Sequence, residues 1–237
     1  MKSAVILLSG GLDSSTLLHY VKSRLDFQAL YALTIRYGQK HVRETICAVN
    51  QARAAGVAEH RQIDLSFFGA LVAGASALTD PAIPMPALSE LAPLQLDQPP
   101  TYVPNRNMLF LALAAAYAEA KGIADVFYGA QAQDRYGYWD CTPEFLDRMN
   151  AVLGLNRRRP VILRAPFMRM SKSEILKIGL DLGVNYAETW SCYRGAGTPC
   201  GVCPSCVERR AAFDALLIAD PAAGRTPDAG CQTPDVR

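Results

Sequence analysis

Short apolar, β-rich runs recur along this chain, and longer stretches with helical spacing separate them. The runs AVILL (4–8), ALYALTI (29–35), RQIDL (61–65), DVFYGA (125–130) and VILRAP (161–166) read as strands. SSTLLHYVKSRL follows the first as a helix, and HVRETICAVNQARAAG follows the second, with Gly56 as its C-cap. NMLFLALAAAYAEAKG, ending at Gly122, is the longest helix, and its Met108, Leu109 and Leu111 are candidate core. Thr142 and Pro143 have the form of an N-cap and first helical residue for PEFLDRMNAVLG. SKSE (171–174) is a capping box opening EILKIGLDLG, and VERRAAFDALLI makes a last helix. Parallel strands need crossover connections of about this length, so the alternation predicts an α/β fold with a doubly wound parallel sheet. Between Pro81 and Pro104 seven prolines and no clean period predict an irregular excursion, a flap. The Pro-, Gly-, Asp- and Thr-rich stretch from Pro221 to Arg237 predicts a disordered tail.

At 237 residues, half of them hydrophobic, the chain suits one large domain with an appendage and an ample core. A net charge of +2 gives no electrostatic argument for a nucleic-acid or membrane partner. No run of eighteen apolar residues exists, which predicts no membrane span. The opening MKSAVILLSGG has a five-residue apolar run and no small-residue cleavage pattern, so it reads as a buried strand rather than a signal peptide, and the chain as cytoplasmic. Seven cysteines, an odd number, argue against a disulfide scaffold.

The junction of the first strand and helix, SGGLDSST (9–16), has the composition of a backbone anion site. Gly10 and Gly11 let the chain turn and approach a ligand, while loop and helix N-terminal amides point at an anion. Ser9, Ser14 and Ser15 add hydroxyl donors. Asp13 would repel a bare phosphate, so it suits a site beside Mg²⁺ or a local cap. A Walker loop needs Gly-Lys-Ser/Thr, and a dinucleotide fingerprint needs a third glycine where Asp13 stands. The plain alternative is a tight strand–helix turn capped by Ser14.

Four cysteines crowd one segment. Cys200, Cys203 and Cys206 form overlapping Cys-x-x-Cys pairs, and Cys192 can complete a tetrahedron. Four thiolates with Gly201 and Pro204 among them suit a closed, structural Zn²⁺ site, with Arg194, Arg209 and Arg210 offsetting its charge. An iron–sulfur cluster and redox dithiols are the alternatives.

The loop resembles the pyrophosphate loop SGGxDS of the ATP pyrophosphatases, which adenylate a substrate oxygen. With YGQKH (37–41), VPNRN (103–107), GYWDCTPEF (137–145), SKSEI (171–175) and TWSCY…CGVCPSC, the chain resembles the 7-cyano-7-deazaguanine synthase family over roughly residues 4–215. The resemblance implies an adenine nucleotide alpha hydrolase-like domain over 1–186, a zinc-binding segment and helix over 187–220, and the tail 221–237. It implies ATP, Mg²⁺ and Zn²⁺ as cofactors, 7-carboxy-7-deazaguanine and ammonia as substrates, and a homodimer. ATP would be held by Leu8, Ser9, Gly10, Gly11, Leu12, Asp13, Ser14, Ser15, Thr16, Leu17 and Leu18. Asp13, Ser14, Lys172 and Arg106 would act in catalysis. Cys192, Cys200, Cys203 and Cys206 would ligate zinc.

Other residues admit two readings. Lys172 reaches phosphate or is a solvated lysine; Arg106 touches ligand or pins the flap; His41 makes a local hydrogen bond. Tyr138, Trp139 and Asp140 would frame a purine-like ring, or Trp139 is core; Cys141 packs as a small apolar residue. Against a family pattern close to GANAxDYSGYPDC, residues 129–141 read GAQAQDRYGYWDC, and Asn105 stands where a small residue is expected. If Gln131, Arg135 and Trp139 alter the acceptor, the acid is activated but passed to another amine, even one on a protein; drift with unchanged activity is the plain reading. The rival functions are a tRNA-modifying enzyme sharing the loop, a non-catalytic zinc-stabilised nucleotide-binding module, and an amidotransferase lacking its glutaminase domain.

Overall fold

The structure, a computed structural model, describes residues 2–41, 43–91, 98–132, 134, 137–195 and 197–223. The strands are β1 (Ser3–Leu7), β2 (Ala29–Arg36), β3 (Glu59–Asp64), β4 (Asp125–Phe127) and β5 (Ile162–Arg164). The helices are α1 (Leu12–Arg24), α2 (Arg43–Ala55), α3 (Ser66–Leu71), α4 (Arg106–Lys121), α5 (Pro143–Leu153), α6 (Lys172–Asp181) and α7 (Pro204–Ala215). The sheet is wholly parallel in the order β3-β2-β1-β4-β5, with Val5 of β1 opposite Tyr31 of β2 and Val126 of β4. The chain winds outward from β1 through β2 to β3, then returns to the other side of β1 for β4 and β5. The expected doubly wound α/β fold is therefore the observed one.

Both faces of the sheet are covered, which is why β1 reads as a continuous apolar run. Ala4 and Ile6 pack with Leu17, Leu18, Ile175, Leu176 and Phe213, so α1, α6 and α7 share one core layer. Val5 and Val126 face the opposite layer, with Leu111, Ala114 and Ala118 of α4 and Phe145 of α5. Leu111 is buried as expected, whereas Leu109 is only partly covered and Met108 is 38 % exposed. Met108 lies three residues before Leu111 on the same stripe of α4, so its exposure goes with its place in the first turn, at the end of the helix.

Local chemistry sets several boundaries. Thr142 caps α5 by accepting from the Phe145 N–H, with Pro143 next, and Ser171 and Glu174 make the reciprocal capping box of α6. Three expectations need correction. The last helix begins at Pro204, not Val207, and ends at Ala215: Pro204 supplies a first-turn residue that needs no N–H partner, and this draws Cys206 into the helix. The fourth and fifth strands stop at Phe127 and Arg164, although the Tyr128 N–H still donates to the Arg164 carbonyl at 3.1 Å. The short α3 was not expected; Asp64 starts it by accepting from the Ser66 N–H at 2.8 Å. The proline-rich excursion is irregular where described, apart from a 3-10 turn at Leu88–Glu90, and residues 92–97 lie outside the described residues. The expected tail is outside them from residue 224 onward; residues 221–223 form a turn in which Ala222 is buried.

Gly10 has φ +84°, and a Cβ there would lie 2.1 Å from the Glu44 carbonyl oxygen and 2.5 Å from the Ala48 nitrogen of α2. Neither neighbour is a flexible side chain. Gly10→Ala is therefore expected to destabilise the fold by about 1–3 kcal/mol through the left-handed conformation alone, plus the displacement of α2. Urea unfolding of the two proteins measures this, and an unchanged midpoint would contradict the contact.

Candidate active site and metal centre

In an open parallel sheet, neighbouring crossovers that run to opposite sides leave a crevice at the strand ends. Here that point lies between β1 and β4, and a cavity of about 290 Å³ opens there. Leu7, Leu8 and Ser9 line it from β1, Tyr128, Gly129 and Ala130 from β4, and Leu12, Asp13 and Ser14 from the start of α1. Gly11 is the N-cap of α1 and carries no side-chain cap, so the first-turn amides are left for a ligand. Ser14 does not cap the helix: its Oγ sits 2.9 Å from Ser9 Oγ and accepts from the Ser9 N–H at 3.2 Å, tying the two ends of the loop. Gly129 faces this N-terminus, where a Cβ would stand 3.3 Å from the Ser14 nitrogen and crowd the opening.

The expected loop residues separate into two groups. Leu8, Ser9, Gly11, Leu12, Asp13 and Ser14 line the cavity. Gly10 seats the loop on α2, while Ser15, Thr16, Leu17 and Leu18 turn into the protein interior. Thr16 Oγ1 donates to the Leu12 carbonyl at 2.9 Å and lies 2.6 Å from the Tyr186 hydroxyl, so its hydroxyl is occupied away from the cavity.

Lys172 is not a solvated lysine. As the first residue of α6 it enters the cavity wall with 12 % of its side chain exposed, 3.8 Å from Asp13 Oδ2 and 2.7 Å from Glu208 Oε2. Burial opposes its charge, but Asp13, Glu208 and Asp134 more than offset this and raise its pKa. Burial raises the Asp13 pKa, against the pull of Lys172, and Asp13 Oδ1 is buried with no hydrogen-bond partner. An unpartnered carboxylate oxygen beside a helix N-terminus fits a divalent cation accompanying a polyphosphate.

Arg106 also lines the cavity, its guanidinium 5.6 Å from the centre of the Tyr37 ring and 3.4 Å from the Tyr37 hydroxyl. Tyr138 and Cys141 line it as well, while Trp139 and Asp140 do not. Trp139 is 46 % exposed, neither core nor ring frame, because its Nε1–H donates to the Tyr102 hydroxyl at 2.7 Å and holds the indole outward. Asp140 turns back to accept from the Asn107 N–H at 3.2 Å. Cys141 packs in the core, as expected, with the Asn107 amide 3.1 Å from its sulfur. Buried His41 has no partner at Nδ1, so the expected local hydrogen bond is missing at that nitrogen. Asn105 takes φ +55° at the N-cap of α4, a left-handed position that asparagine tolerates. Arg135 lies outside the described residues.

Sequence reasoning missed three acidic groups in the wall: Glu44, Asp134 and Glu208. Glu208 follows Cys206 by two residues on α7, and only the packing of α7 against α6 brings it to Lys172. Asp134 accepts from the Gln131 N–H and Nε2–H, both at 3.2 Å. Burial pushes its pKa up to about 7, with Asp13 and Glu208 adding to the rise and Lys172 opposing it.

Cys192, Cys200, Cys203 and Cys206 bring their sulfur atoms within 4.8 Å of one another. The Cys200 N–H points at Cys192 Sγ from 3.3 Å and the Cys203 N–H at Cys200 Sγ from 3.4 Å, donors that favour thiolates. Arg209 does not offset their charge. Its guanidinium is taken by Asp220, at 2.7 and 2.9 Å, and by the Thr189 hydroxyl and Tyr186 carbonyl. Arg194 reaches the Met85 carbonyl instead. The segment also walls the cavity: the Trp190 N–H donates to the Gly10 carbonyl at 3.0 Å, and Trp190, Ser191, Tyr193, Pro204 and Ser205 line the crevice.

A family model described as queuosine biosynthesis protein QueC matches residues 3–217. The chain is 42 % identical to the 7-cyano-7-deazaguanine synthase of Marinobacter nauticus over 221 residues, covering 93 % of this chain and 96 % of the relative. It is 42 % identical to the enzyme of that name from Clostridium kluyveri over 227 residues, covering 93 % and 97 %. Among solved structures, the U34-tRNA thiolase NcsA from Methanococcus maripaludis with its [4Fe-4S] cluster superposes with a TM-score of 0.50 at 14 % identity, covering 90 % of this chain and 64 % of that one. That likeness concerns the fold.

The raised pKa of Asp134 has a consequence for stability. Between the carboxylate's unfolded value, about 4, and its folded value, about 7, the folded protein holds a proton that the unfolded chain has released. This contribution to stability therefore falls as pH rises through that window and is level above it. Asp134→Asn is expected to lose that slope. Urea unfolding at pH 5 and pH 8 checks it; identical pH dependence in both proteins would contradict the assignment.

Proposed function

The chain belongs to the family of queuosine biosynthesis protein QueC, and we propose that it converts 7-carboxy-7-deazaguanine and ammonia to 7-cyano-7-deazaguanine, using ATP twice. A carboxylate or amide oxygen is a poor leaving group, and AMP is a good one. Adenylation of the carboxylate lets ammonia displace AMP and form the amide. Adenylation of the amide oxygen then lets AMP depart with that oxygen and leave the nitrile. The chemistry asks the protein mainly to hold the α-phosphorus against the substrate oxygen and to stabilise the charge that develops.

The observation that carries this reading is the uncapped N-terminus of α1 opening into the cavity beside buried Lys172. Its amides and the Ser9 and Ser14 hydroxyls would bind the β- and γ-phosphates. Lys172, fixed between Asp13 and Glu208, would face the charge that builds on the α-phosphate. Mg²⁺ would be held by Asp13, whose Oδ1 has no other partner, and would supply charge neutralisation to the departing pyrophosphate. Arg106, Tyr37, Tyr138 and Tyr193 give the same cavity a cation and aromatic surfaces suited to an acidic deazapurine.

The four cysteines would hold one Zn²⁺. Thiolates around a single tetrahedral zinc stand about 3.8 Å apart, given Zn–S bonds of about 2.3 Å, and the observed separations of 4.8 Å or less match that size. An iron–sulfur cube, with irons at alternate corners and one cysteine on each iron, spreads its cysteines more widely. All four positions of such a zinc are filled by the protein, so its role is structural.

Three outcomes are expected. Mass spectrometry of a reaction containing ATP, Mg²⁺, ammonia and 7-carboxy-7-deazaguanine should find the nitrile; an amide that never advances, or no AMP, would refute the proposal. Asp13→Ala should slow AMP formation at least tenfold, corresponding to about 1.4 kcal/mol of transition-state stabilisation. Metal analysis should find one zinc per chain, and Cys203→Ser should lose it. Because Trp190 is bonded to Gly10, the same variant should also bind ATP more weakly by calorimetry, an effect that a remote metal site would not produce.

A further inference from the structure

We propose that Asp134 is the general base that takes the proton from the substrate nitrogen as the amide becomes the nitrile. This rests on the reaction proposed above and assigns a step that the phosphate-binding apparatus leaves unassigned. In the last stage the substrate is an imidate carrying AMP on its oxygen. The N–H bond breaks, its electrons form the third carbon–nitrogen bond, and the C–O bond breaks with its pair leaving on AMP. The nitrogen's proton needs an acceptor inside the cavity.

Four carboxylates of the described residues line that cavity, and two of them are ion-paired. Asp13 and Glu208 both face the Lys172 ammonium. Glu44 accepts from Gln39 Nε2 at 3.0 Å and lies on α2, which packs on β2. Asp134 is on the β4 side, and the donors it accepts from are both uncharged, the backbone and side-chain amides of Gln131 at 3.2 Å. Its turn is fixed by the Gly137 and Tyr138 N–H groups donating to its carbonyl at 3.2 and 2.9 Å, and by Ala132 N–H donating to Met170. Lys172 of α6, Asp13 of α1 and Glu208 of α7 all face it, as do Tyr128, Tyr138, Cys141 and Tyr193. Burial sets its pKa at about 7. A base poised there holds a proton strongly enough to take it from an activated nitrogen and releases it before the next turnover.

The test uses the full-length, metal-loaded protein with ATP, Mg²⁺ and the purified amide, 7-amido-7-deazaguanine. Asp134→Asn keeps the shape and an acceptor for Gln131. It should slow kcat for nitrile formation by about 100-fold or more, while pyrophosphate exchange into ATP, driven by the carboxylic acid, falls far less and the amide accumulates. In Asp134→Ala, added formate should restore nitrile formation, and in Asp134→Asn it should not. Normal kcat in Asp134→Asn, a raised KM with unchanged kcat, exchange lost as completely as nitrile formation, or no formate rescue in Asp134→Ala would each overturn the assignment. Failure of the unaltered protein to exchange pyrophosphate with the acid would instead sink the proposed reaction itself.

Discussion

The carbonyl and α-carbon of Gly10 sit where three parts of the molecule meet. Its missing side chain lets the loop after β1 rest on the backbone of α2 at Glu44 and Ala48. Its carbonyl accepts from the Trp190 N–H, two residues before the first cysteine of the metal centre. The loop is thus held from the sheet, from α2 and from the cysteine segment at one residue. A side chain there would drive the loop off α2, because its Cβ would meet the backbone of Glu44 and Ala48. The open amides at the start of α1 follow from that seating, and so does the alignment of Asp13 with Lys172.

The metal segment is part of the crevice rather than an ornament behind it. Cys203 is the N-cap of α7 and Cys206 lies in its first turn, so a metal bound there fixes where α7 begins. Glu208 is the next residue of consequence on that helix, and it makes the shortest contact to Lys172. The four-cysteine cluster and the Lys172 ammonium are therefore connected through one helical turn. Phe213, farther along α7, enters the same core layer as Leu17 and Leu18 of α1, which ties the far end of the helix to the loop as well.

What the sequence disclosed was whatever depends on neighbours along the chain. The strand–helix alternation, the Thr142 cap, the Ser171–Glu174 box and the four cysteines are all local patterns, and the folded chain repeats them. Boundaries drifted where a local signal was read one turn late, as at Pro204, whose place after Cys203 marks a helix start. The cavity carboxylates were hidden for a different reason. Glu208 and Asp134 stand 36 residues after and 38 before Lys172, and no periodicity relates them to it; only the return of the chain across β1 and the packing of α7 on α6 do. Trp139 was misplaced by the same blindness, since its outward pose is set by Tyr102 in the distant proline-rich excursion.

The charges of the crevice also bear on the order of events. Among the described residues, Asp13, Glu44, Asp134 and Glu208 face it, with the cations Lys172 and Arg106. Ionised carboxylates in such a wall repel a polyphosphate in a region where water screens poorly. Burial raises the pKa of Asp13, Glu44 and Asp134 and so lessens that repulsion before any ligand arrives. A divalent cation entering with the nucleotide would reverse the balance at Asp13, drawing it back to the ionised form. Asp134, whose raised pKa comes first from burial, makes no ion pair with Lys172 among the described residues. Under the proposed reaction, one network of acids around one lysine would serve two purposes, holding charge where phosphates bind and withholding it where a proton has to move.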